Sequence, residues 1–104
     1  MTRVAYVVAI LFVLVVGTAN SGGYRFGASD QAFYIPAVSL SADAGLFPRD
    51  RAVFEPQMRL WIGDEILGGL VRATGISLEA LFAALYVITL AGLALALVAL
   101  ARAL

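Results

Sequence analysis

Residues 80–101 read ALFAALYVITLAGLALALVALA, 22 consecutive positions without a charge. Only Thr89 and Gly92 interrupt the run of Ala, Leu, Val, Ile, Phe and Tyr, so a helix here is apolar on every side and has no face for water. At ~1.5 Å per residue it extends about 33 Å, enough for a hydrocarbon layer of about 30 Å. Ser77 is placed to cap its start, Glu79 falls in the first turn where the helix dipole favours an anion, and Arg102 falls in the last, where it favours a cation. We read a transmembrane helix over about 78–102. Gly92 and Ala96 form a small-x-x-x-small pair, a spacing that any Ala-rich segment produces readily.

Working outward, a second apolar stretch stands at the other end. Val4 to Val16 is apolar throughout apart from Tyr6, and no charge occurs between Arg3 and Arg25. The small and polar residues Asn20, Ser21, Gly22 and Gly23 end it, giving a helix over about 4–20. A short basic start, an apolar run and the small residues Gly17 and Ala19 also suit a cleaved signal peptide. The second apolar segment favours an anchor, since one membrane protein accounts for both ends.

The composition agrees with lipid as the solvent. Hydrophobic residues make up 62% of the 104 positions and charged residues only 13%, against roughly 45–50% and about 25% in soluble domains. Seven Arg and seven acids cancel, which leaves no basic field to gather nucleic acid. Cys, His and Lys are absent. That excludes disulfides, thiolate or imidazole nucleophiles, Cys/His metal sites, Schiff bases and a Walker lysine, and we expect no metal or cofactor. Carboxylates, Arg, Tyr and hydroxyls remain for chemistry. The fold class we expect is an all-α membrane protein: a single module over 1–104 with two transmembrane helices joined by a loop, about 21–76, of short amphipathic interfacial helices.

Residues 25–79 hold five Arg and all seven acids, a net of −2, while Arg3 and Arg102 stand at the outer ends. Under the positive-inside rule this favours cytoplasmic termini and an extracytoplasmic loop. Within the loop, Ser29 is a candidate N-cap, and Phe33, Ala37 and Leu40 share a helical face. Pro36 is expected to shorten that helix to two turns. Ser41–Asp50, with Gly45 and Pro48, reads as a turn. Pro56 is expected to open a second helix whose stripe Met58, Ile62, Ile66, Leu70 and Ala73 recurs about every four residues, widened by Leu67 and Val71, with Gly75 ending it. Gly63, Gly68 and Gly69 each cost such a helix about 1 kcal/mol relative to Ala, so it needs a supporting surface: the membrane interface, other parts of a larger membrane protein, or the rest of a helical cap.

Asp30 follows the first span and precedes Phe33 and Tyr34. A carboxylate at a membrane edge is suited to take a proton from an acceptor hydroxyl; an acid at a helix start also simply favours the dipole. The spacing leaves both readings open. The first helix, then Tyr24-Arg25-Phe26-Gly27-Ala28-Ser29-Asp30-Gln31-Ala32-Phe33-Tyr34, then Leu46-Phe47-Pro48-Arg49-Asp50, resembles the amino-terminal part of polytopic bacterial membrane proteins of the GT-C glycosyltransferase type. The resemblance implies a polyprenyl-phosphate-linked sugar donor and a first extracytoplasmic loop with an acid soon after the first span, the place of Asp30, acting as base or as a metal or acceptor ligand. Gln31 stands where many members carry a second acid. Arg25, Arg49 and Arg51 are candidates to meet a lipid phosphate, or to pair with nearby acids or headgroups. Since such proteins have many spans, the resemblance implies that this chain is a fragment that is not catalytically complete, partnered by the bilayer and by further transmembrane helices of the same or another chain. The alternative from another class is a small two-span protein with a structural or partner-binding role and no enzymatic activity.

Overall fold

The structure, a computed structural model, describes residues 2–104. Those residues form five helices and no strand: α1 (Arg3–Asn20), α2 (Gln31–Ala42), α3 (Arg51–Leu60), α4 (Gly63–Thr74) and α5 (Leu78–Ala103). α1 and α5 are long and apolar enough to cross a membrane, and the all-helical class is as expected. The chain divides into two compact units, a helical pair of residues 2–24 and 82–104 and a loop unit, Arg25–Leu81.

In the helical pair, Thr2 caps α1 by accepting from the Ala5 N–H at 3.4 Å. α1 and α5 run antiparallel: the Thr18 hydroxyl hydrogen-bonds Tyr86 Oη at 2.7 Å, and Arg102, from the last turn of α5, donates to Tyr6 Oη near the start of α1. Between these polar pairs the helices meet at Gly17, where an added Cβ would lie 3.2 Å from Leu90 Cδ2. Close approach thus uses Gly17, whereas Gly92 has open space around it. Val4, Phe12 and Val15 of α1, and Ile88, Leu93 and Leu100 of α5, point outward and stay exposed. No side chain of α1 is buried.

The loop unit corrects several expectations. Ser29 does not cap α2; its φ is +54° and the N-cap position belongs to Asp30, with no side-chain cap bond. The entering turn is held instead by the Gly27 N–H donating to Gln31 Oε1 at 2.9 Å. Pro36 does not end the helix after two turns. α2 continues for 12 residues, because its next turn, Ala37–Leu40, is buried on all sides and that burial outweighs the hydrogen bond Pro36 removes. Ser39 satisfies its buried hydroxyl by donating to the Ile35 carbonyl at 2.8 Å.

The expected helix from Pro56 to Gly75 is two helices. α3 begins at Arg51, five residues ahead of Pro56, where Arg51 Nε meets Glu55 Oε1 at 2.7 Å. Trp61 in extended conformation breaks the path before α4, and Gly75 at φ +69° ends α4.

α4 packs on α2 through the face that holds Asp64 and Gly68, and much of its apolar stripe is left outside. Gly63, Asp64 and Gly68 are buried, while Ile62, Ile66 and Leu70 are exposed. A Cβ at Gly68 would fall 2.7 Å from Ser41 Cβ and 2.9 Å from the Ala42 backbone nitrogen on α2. Only a residue without a side chain admits that approach.

Gly68→Ala is therefore expected to cost the loop unit about 1–3 kcal/mol, as overpacking against backbone does. Gly69→Ala, one position along with nothing within 4 Å of its Cβ, should be stabilising by up to about 1 kcal/mol through helix propensity. Denaturant unfolding in detergent micelles, followed by Trp61 fluorescence, distinguishes the two.

Candidate functional site

The residues singled out from the sequence do not form one linked cluster. Asp30 is exposed at the N-cap of α2, with its carboxylate free of any side-chain cap bond. Arg25 and Arg49 are exposed. Arg51 is committed to Glu55 and also reaches the Ala44 carbonyl at 3.4 Å. No hydrogen bond or ion pair joins Asp30 to any of these three guanidinium groups, and among the described residues no three acidic, His or Cys side chains converge as a metal site would require.

The acid that the structure does set apart is Asp64. It is completely buried, and neither carboxylate oxygen has a hydrogen-bond partner. Its position follows from the glycine packing: Asp64 and Gly68 are one turn apart on α4 and share the face pressed toward α2. Burial is the main cause that raises its pKa above the ordinary 3.8, and the neighbouring charge of Glu65 adds to it. The N-terminus of α4 favours an anion by only about 0.3–1 kcal/mol, whereas leaving a buried polar group unpaired costs about 1–3 kcal/mol and a charged one more. Burial wins, and the carboxyl keeps its proton to higher pH than an exposed acid does. A carboxyl of this kind can hold or donate a proton; being wholly covered, it does not meet a bulky acceptor directly.

Beside it, Trp61 folds back over Gly63 so closely that a Cβ there would run into the indole ring. The indole also meets Tyr34 of α2 edge-on, with ring centroids 6.2 Å apart. At this α3–α4 corner lies an open groove of about 490 Å³ that includes Arg51, Arg59, Leu60, Trp61, Ile62 and Glu65 in its lining. Sequence reading placed Asp64 off the apolar stripe and attached no role to it. The available signal was the i, i+4 pair Asp64 and Gly68, a polar and a small residue on one face of a helix whose other face is apolar.

Asp64 carries a definite pH signature. Because its folded-state pKa is raised, the contribution to stability is fully present below the ordinary 3.8 and is lost as pH climbs toward the raised value, since the unfolded chain then releases a proton that the folded one retains. The loop unit should become less stable as pH rises above about 4, and Asp64→Asn should flatten that slope. Urea midpoints of both proteins across pH 3.5 to 8, on the order of one-unit steps, provide the check. Comparison with known proteins gives no family model that matches this chain, and no match among curated proteins or solved structures.

Proposed function

We propose that this is an integral membrane protein of the bacterial inner membrane, in which α1 and α5 cross the bilayer as an antiparallel pair, both termini are cytoplasmic, and the loop unit works outside as a structural or partner-binding module. The observation that carries the reading is the sidedness of the helical pair. Two polar pairs link the helices, Thr18 to Tyr86 and Tyr6 to Arg102, while many large apolar side chains face outward. In water that arrangement exposes surface that association or collapse would remove; in acyl chains it is the stable one, because lipid does not compete for hydrogen bonds.

With no native Cys, single-Cys variants test it cleanly. Leu93→Cys should resist an impermeant maleimide until detergent is added, Ala44→Cys should react from outside intact spheroplasts, and the protein should stay in the pellet after alkaline carbonate extraction. Release into the carbonate supernatant, or free labelling of Leu93→Cys, would contradict membrane crossing.

A second reading rests on Asp30, whose exposed and unengaged carboxylate opens α2 shortly after α1. Here the chain is the amino-terminal module of a GT-C-like glycosyltransferase using a polyprenyl-phosphate-linked sugar, with Asp30 as base toward the acceptor hydroxyl and Arg25 and Arg49 free to meet a phosphate. Asp30→Asn in the full-length protein should lower transfer by about 100-fold or more, the usual contribution of a general base, with insertion and abundance unchanged. Transfer at the parent rate removes Asp30 from the chemistry.

A further inference from the structure

We infer that the α3–α4 corner is a lipid anchor that docks on the surface of the bilayer crossed by α1 and α5, with Arg59 on the headgroup phosphates and Trp61, Ile62, Ile66 and Leu70 in the glycerol and upper acyl region. The inference rests on the reading that those two helices span.

Three observations converge on it. Gly68 and Asp64 take the packing against α2, so the apolar stripe of α4 is left without a cover: Ile62 is 70% exposed and Ile66 62%, and Leu60 and Trp61 at the corner are 81% and 51% exposed. An apolar stripe of this kind, headed by a Trp, has the composition of a helix lying in a membrane interface. Next, the charges suit an anionic surface. Glu55 is held by Arg51 and Asp64 is enclosed within the loop unit, so among the exposed charges left on α3 and α4, Arg59 and Arg72 outnumber Glu65. Guanidinium also matches phosphate oxygens in pairs. Finally, only residues 75–77 separate α4 from the start of α5, so the α4 stripe is covalently held close to where the chain enters a span. A lipid surface is thus the partner within reach, and it needs no second protein to cover the face.

Trp61 is the only Trp in the chain and reports its own surroundings. The test uses the full chain in vesicles of phosphatidylcholine and phosphatidylglycerol, carrying bromine either near the headgroup or near the acyl-chain ends. The expected result is blue-shifted Trp61 emission, quenched about twofold or more by the shallow bromine and less by the deep one, as interfacial Trp requires. Ile66→Glu should abolish the quenching, and Arg59→Glu should remove its dependence on phosphatidylglycerol. Unquenched, red-shifted emission overturns the anchor, as does stronger quenching by the deep bromine. A disulfide between copies through Ile66→Cys, with Trp61 unquenched, overturns it in favour of self-association. Maleimide protection of Leu93→Cys, measured in the same vesicles, reports separately on the spans. Protected Leu93→Cys with unquenched Trp61 defeats the anchor alone, whereas labelled Leu93→Cys defeats the spanning reading.

Discussion

α4 meets α2 through Gly68, with no side chain between the helix and the Ser41–Ala42 backbone. That single close approach decides which way the rest of the loop unit faces. A helix has one face to give to a neighbour, and the nearest approach goes to the smallest residues when they share a turn. Gly68 claims the inner face, Asp64 one turn before it is carried into it, and Ile62, Ile66 and Leu70 are turned out. Trp61 fits over Gly63 for the same reason and touches Tyr34 on α2. Three glycines that count against helix formation by propensity thus include the residue that fixes the packing.

The helical pair obeys a different constraint. Its interior contacts are few and its exterior is apolar, so the folding force of a soluble core, apolar surface withdrawn from water, has little to act on. What ties α1 to α5 is specific: Leu90 seated against Gly17 and hydrogen bonds at Thr18–Tyr86 and Tyr6–Arg102. Hydrogen bonds between helices in lipid are worth about 0.6–2 kcal/mol each, which is modest but directional, and their placement toward opposite ends of the pair sets its register.

The two carboxyls of interest differ by environment alone. Asp30 is open to solvent and able to meet a substrate-sized group; Asp64 is enclosed, deprived of donors, and held toward its neutral form by burial. Contact with an outside group is open to Asp30 and closed to Asp64. The Arg51–Glu55 pair shows the same dependence on neighbours, since a guanidinium free in the sequence is engaged one helical turn along.

The apolar runs, the caps at Ser77, Glu79 and Arg102, and the stop at Gly75 were legible from residue order, because each depends on neighbours within one turn or on a length compared with a bilayer. The amphipathic stripe of α4 was legible too, but not its direction. Whether an apolar face looks inward or outward depends on which opposing surface comes closest, and that involves α2, some 25 residues earlier in the chain. The persistence of α2 through Pro36, the break at Trp61 and the burial of Asp64 follow from the same source. Local propensity prices each of them as unfavourable, and only the gain from packing one helix on another, a quantity absent from any window of sequence, reverses the balance.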